Sequence, residues 1–116
     1  THWTRDRTRG RGGMFPIEWA VRRLTSDTAQ ALGLDDRGVL APGYKADINL
    51  IDYSRLRIRR PEMAYDMPGG GGRIVQRTEG YVATFVSGVP VYRHGEATGE
   101  LPGRVVRGAQ KAPAAA

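Results

Sequence analysis

The chain has 116 residues, 40% of them apolar, with no cysteine and a formal net charge of +6. That length allows one small core at most, the missing cysteines exclude disulfides and thiolate metal sites, and no apolar run approaches the length of about 20 residues that a bilayer span requires. The composition therefore reads as a soluble chain with no membrane partner and fits a cytoplasmic setting, while 16 Gly and 7 Pro point to turns rather than long helices.

The opening stretch, THWTRDRTRGRGG, has arginine at every second position from Arg5 to Arg11 and ends on a glycine pair, so it offers no apolar face and reads as a loop. FPIEWAVRRLTSDTAQALGL follows, in which Ile17, Val21, Leu24, Thr28 and Leu32 recur at spacings of three and four, the mark of one helical face. Pro16 suits the first turn, where a missing N–H costs nothing, and Gly33 suits the position just past the end, where φ is positive. Asp27, with Gln30 three residues on, also offers an internal N-cap, so the pattern allows one helix or two short ones meeting near Thr25–Asp27.

Beyond Gly33 the period becomes two. Pro42 and Gly43 take the central positions of a type II turn, and Ala46, Ile48 and Leu50 then share one face of a strand. YSRLRIRRPEMAYDMPGGGG is polar, contains two prolines and ends in four glycines, which reads as a long excursion between strands. RIVQ adds a short strand, and GYVATFVSGVPVYRHGE forms a hairpin about Ser87-Gly88. ATGELPGRVVRG closes with a turn at Pro102-Gly103, and KAPAAA is a frayed tail. The chain starts at Thr1 without an initiator Met and is expected to be part of a longer polypeptide.

Few of these residues suggest chemistry. Gly69–Gly72 lacks the Lys-Ser or Lys-Thr that completes a phosphate-binding loop. His2 and His94 lie at opposite ends of the chain, and without cysteine a zinc site would have to recruit carboxylates around them. His94, beside Gly95, reads as a surface turn residue. Ser26, Ser54 and Ser87 have no recognisable triad context, and Asp35-Asp36 would more naturally cap or solvate the turn after the helix than run acid–base chemistry. The arginine run near Trp3 and Phe15 is the argument for a small basic nucleic-acid-binding module, in which arginines neutralise phosphates and aromatics stack on bases; the run is short, and Asp6 interrupts it. A freestanding β-sandwich used for interaction is the other alternative.

The blocks HWTRDR, T-x-x-x-A-x-x-x-G-L, DRGVLAPGYKADINLID, RPEMAYDMPGGGGRIVQ and TGELPGRVVR together resemble the closing part of the amidohydrolase superfamily, in particular its N-acyl-D-amino-acid deacylases, the D-aminoacylases. The resemblance covers nearly the whole chain, and its Pro-Gly-x-x-Ala-Asp element is shared widely across amidohydrolases. It implies an α/β plus β fold: residues 1–34 as the end of a metal-dependent (β/α)8 hydrolase barrel, 35–108 as the C-terminal strands of a small composite β-sandwich, and 109–116 as a disordered tail. It further implies a zinc-dependent enzyme that releases a carboxylate and a D-amino acid from an N-acyl-D-amino acid, the metal acidifying water and polarising the carbonyl.

The family's metal ligands and general base have no counterpart here, so no catalytic or metal residue is assigned, and the 116 residues alone are expected to be inactive. Their partners are then the rest of the barrel and the N-terminal sandwich strands. His2, Arg5 and Asp6 are placed on a loop bordering the pocket, because barrel sites are built from loops after the strands. Asp47, Pro42 and Gly43 are assigned structural roles, with a buried Asp47 carboxylate accepting N–H bonds from the Pro-Gly turn.

Overall fold

The computed structural model of the chain describes residues 3–7 and 12–114. Two short helices come first, α1 (Ile17–Leu24) and α2 (Ser26–Ala31). Pro16 precedes α1, Glu18 sits in its first turn and Arg22 and Arg23 in its last, the charge order that the helix dipole favours. The break falls at Thr25, with φ −125° and ψ −92°, and the Thr25 hydroxyl donates back to the Val21 carbonyl at 2.8 Å. Asp27, expected as the N-cap, instead accepts from Arg22 at 2.9 Å and pairs with Arg23 at 3.1 Å, because two guanidiniums in the preceding turn outcompete one backbone N–H. α2 ends as expected. Gly33 takes φ +68°, its N–H reaches the Gln30 carbonyl at 2.9 Å, and the Leu34 N–H reaches the Ala29 carbonyl at 2.8 Å, a Schellman motif.

The strands are β1 (Ile48–Ile51), β2 (Arg57–Ile58), β3 (Glu62–Ala64), β4 (Arg73–Val75), β5 (Thr78–Glu79), β6 (Tyr81–Val86), β7 (Val89–Arg93) and β8 (Glu96–Ala97). β1, β6, β7 and β8 form one antiparallel sheet in the order β1-β6-β7-β8. The stretch 53–72, expected as an excursion, is an arm of this sheet: β2 pairs with β5 and β3 with β4, both antiparallel. Ile48↔Phe85, Ile51↔Tyr81, Arg57↔Glu79, Ile58↔Thr78 and Ala64↔Arg73 lie in one nested series, so residues 48–86 are a single long hairpin ribbon. Residues 52–56 bulge out of it opposite Gly80. At its tip Pro68–Gly70 form a 3-10 turn in which Gly69 and Gly70 both take φ +74°, a turning role for the glycine run.

The Ser87-Gly88 hairpin is present, with φ +50° and +81° at its two central residues, the pattern whose twist matches the flanking strands. Two expectations near the end of the chain give way. Pro102-Gly103 lies in a stretch without turn or strand, and the tail is docked through its described residues: Gln110 bridges Leu34, donating to the Gly33 carbonyl at 2.8 Å and accepting from the Asp35 N–H at 2.9 Å. Glycines 33 and 43 make the room, since a Cβ on Gly43 would stand 2.9 Å from Pro113 Cβ.

The ribbon and helices enclose little. Among the described residues only Ala29 and Ala83 are buried apolar side chains, and Thr4 is the buried polar one. The accessible surface is 9609 Å², against about 6,200 Å² for a compact monomer of this mass, and the radius of gyration is 17.0 Å, against about 13 Å. The sheet is one layer thick and exposes Leu50, Ile51, Tyr81 and Tyr92, while α1 exposes Ile17, Val21 and Leu24. A single layer leaves apolar faces that a folded protein buries against a second one.

Candidate functional site

The described part of the first loop, residues 3–7, lies against the bulge at 52–56. Within that bulge Asp52 Oδ1 accepts from the Ser54 hydroxyl at 2.6 Å, the Ser54 N–H at 3.1 Å and the Arg55 N–H at 3.3 Å. Those bonds, the Ser54 hydroxyl foremost, favour the ionised form and hold the Asp52 carboxyl below the usual carboxylate range. The Arg5 guanidinium caps the turn so formed, donating to the carbonyls of Tyr53, Ser54 and Leu56. It lies 5.1 Å from the Tyr53 ring centroid, and the Tyr53 hydroxyl shares a 2.8 Å hydrogen bond with Thr4 Oγ1. Asp6 receives Arg5 Nε at 2.8 Å. Arg5 and Asp6 are thus brought together, and they face the ribbon. His2 lies outside the described residues.

One turn further on, the Arg7 guanidinium sits between Trp3 and Phe15, 5.3 and 5.2 Å from their centroids, and Phe15 stacks on Trp19 at 4.4 Å. Arg23 covers the other side of Trp19 at 5.4 Å. This column ties the loop to α1 by cation–π and stacking contacts. It also engages Trp3 and Phe15, the two aromatics that a base-stacking reading needs. Arg5, Arg22, Arg23, Arg37, Arg59, Arg73 and Arg77 each pair with a carboxylate, so much of the positive charge is matched locally.

Asp47 connects three segments. Pro42 and Gly43 make the expected turn, with Gly43 at φ +85° and the Tyr44 N–H on the Ala41 carbonyl at 3.2 Å. The Asp47 carboxylate does not cap it. Oδ1 accepts from the Ser87 N–H at 2.8 Å, at the other hairpin, and Oδ2 stands 3.6 Å from Arg37 Nη1. The group is also partly open to solvent, with a side-chain exposure of 32%. The reason is topological: β1 runs beside β6, which brings the start of β1 next to the β6–β7 turn, and the Gly88 N–H on the Ala46 carbonyl at 2.9 Å fixes the same approach.

A cleft of about 750 Å³ opens along the ribbon, lined by Arg55, Arg59, Arg77, Glu79, Tyr92 and His94 among others. Two of its arginines are held by carboxylates: Arg59 Nε binds Glu79 at 2.8 Å, and Arg77 reaches Glu62 at 2.8 Å. His94 occupies the β7–β8 turn at φ +50° with its N–H on the Val82 carbonyl. Among the described residues no group of three or more His, Cys, Asp or Glu is placed to hold a metal ion. These residues therefore do not fit a zinc site. No helix among them is long and apolar enough to cross a membrane. Tyr53 and Gly80, which shape the joint with the first loop, carry only weak signals in the sequence: an Asp-x-Ser turn and an isolated glycine before a strand.

Residues 1–92 match the amidohydrolase family. The chain is 32% identical over 105 residues to a D-aminoacylase of Alcaligenes xylosoxydans xylosoxydans, covering 90% of this chain and 19% of that protein. It is 32% identical over 94 residues to an N-acyl-D-aspartate deacylase of the same organism, covering 80% of the chain and 17% of the relative. An allantoinase of Deinococcus radiodurans is 34% identical over 94 residues, 80% of the chain and 20% of the relative. The chain thus spans about a fifth of the length of these curated relatives. No solved structure matches it significantly.

Proposed function

Because the chain belongs to the amidohydrolase family, we propose that it is scaffold of a metal-dependent hydrolase that cleaves the amide bond of N-acyl-D-amino acids. Two deacylases of such substrates are similar to it over 80% or more of its length, and that observation carries the reading. On this reading the zinc ligands and the general base belong to polypeptide outside the 116 residues. The open surface supports the same division of labour. α1 would lie on the end of a barrel, the single-layer sheet would receive a second layer, and loop 3–7 would border the mouth of the barrel.

The experiment is a substrate panel on the full-length protein. N-acetyl-D-amino acids with apolar and acidic side chains, their L enantiomers, allantoin and dihydroorotate are each incubated with metal-loaded enzyme, and free amine or ring opening is measured. Release of D-amino acid with strong discrimination against the L series is expected. Turnover confined to the cyclic amides would overturn the substrate assignment.

A further inference from the structure

Arg5 uses every donor it has. Nε donates to Asp6 Oδ1 at 2.8 Å, Nη1 to the carbonyls of Tyr53 and, at 3.1 Å, Ser54, and Nη2 to the Leu56 carbonyl at 2.7 Å and Asp6 Oδ2 at 3.2 Å. A guanidinium has five N–H groups in a planar fork, and all five are engaged here, which leaves none to receive a ligand carboxylate. Three of the acceptors are backbone carbonyls of one turn, and that turn sits where the ribbon steps from the β1·β6 pairing to β2·β5.

The turn is held from its other sides as well. The Tyr53 ring supports the guanidinium face, and its hydroxyl binds Thr4, which is 4% exposed. Opposite, Gly80 approaches so closely that any Cβ there would meet the Leu56 backbone. A turn fixed in this way is a rigid anchor, and the loop bearing Arg5 takes its course from it.

We propose that Arg5 is a positioning residue: it fixes loop 3–7 on the ribbon and so shapes the edge of the substrate pocket without touching substrate. The link to substrate turnover rests on the deacylase reading above; the anchoring itself does not. Lysine cannot replace it, because one ammonium point charge cannot span three carbonyls and a carboxylate held in a plane.

The test uses full-length protein with Arg5→Lys, Arg5→Ala and Tyr53→Phe, read by amide hydrogen exchange and by steady-state kinetics on an N-acetyl-D-amino acid. In Arg5→Lys, exchange is expected to rise by about tenfold in both loop 3–7 and residues 53–57, with kcat down about tenfold and KM within about twofold. A KM raised tenfold with unchanged exchange would mean that Arg5 binds substrate and would overturn the proposal. Faster exchange with unaltered kinetics would overturn it too, since the loop would then be anchored to no effect. Should Arg5→Ala fail to fold, Tyr53→Phe, which removes only the bond to Thr4, must still loosen both segments together; loosening of one alone counts against the anchor. If the unmutated protein hydrolyses no N-acyl-D-amino acid, the deacylase reading fails, and the positioning role fails with it while the exchange data still decide the anchoring.

Discussion

Gly80 and Leu56 touch backbone to backbone: a Cβ on Gly80 would lie 2.7 Å from both the Leu56 Cα and its N, and 2.9 Å from the Asp52 carbonyl oxygen. Gly80 also takes φ +93°, a conformation that side chains resist. Gly80→Ala in the full-length protein is expected to lose about 2–4 kcal/mol, combining left-handed strain with a forced backbone shift. Urea unfolding measures it. A loss under about 0.5 kcal/mol would show that the bulge yields freely.

Asp47, just before β1, reaches across to the β6–β7 turn, so its removal takes the acceptor from the Ser87 N–H and one carboxylate from Arg37. Asp47→Ala should cost about 1–2 kcal/mol, within the range for a hydrogen bond to a charged group that is partly exposed. Asp47→Asn, which keeps an acceptor oxygen, should recover much of that. Turnover per folded molecule should be unchanged in both; a selective fall in kcat would give Asp47 a chemical role.

Acid should loosen the ribbon. The carboxyls of Asp52 and Asp66 are held below their ordinary range, Asp52 first by the Ser54 hydroxyl and Asp66 first by the Arg73 guanidinium, and both lie on the ribbon. A carboxyl with a lower folded than unfolded pKa leaves more protons on the unfolded chain, so stability rises with pH across the acid range. The contribution is complete above the unfolded value of about 3.9 and is lost as pH falls through the folded values. Asp52→Asn should flatten that acid limb in a pH series of denaturation midpoints, and an unchanged limb would remove Asp52 from the account.

The isolated 116 residues should not unfold as a cooperative unit. With Ala29 and Ala83 as the buried apolar side chains among those described, the chain has too little core to offset ordering entropy. Calorimetry is expected to show no sharp transition, and an apolar dye should bind the native-buffer sample. A sharp, reversible melt would favour the freestanding sandwich instead.

Local rules were enough wherever a feature is made by neighbours in sequence. The helix stop at Gly33, the turn at Pro42-Gly43 and the hairpin at Ser87-Gly88 all follow from positive φ or a fixed proline. The arm was hidden because RLRIRRPEM looks like a charged loop until its partner is known: Arg73 pairs with Asp66 at 2.6 Å and Arg77 with Glu62 at 2.8 Å, and those pairs exist only once the strands are in register. Asp47 shows the same limit. That it accepts backbone N–H bonds is a local expectation, but its acceptor role is spent on a residue forty positions away, which no local window contains. The docking of Gln110 beside Leu34 lies at still longer range.

The nested pairing of residues 48–86 carries a kinetic consequence. Contacts can close in order of growing separation, from Ala64 beside Arg73 outward to Ile48 beside Phe85, each new rung adding only a small loop to those already shut. Such an element can register from its tip at low entropic cost, but two strands alone are marginal in water, so it becomes lasting structure only as slower, long-distance assembly covers its faces.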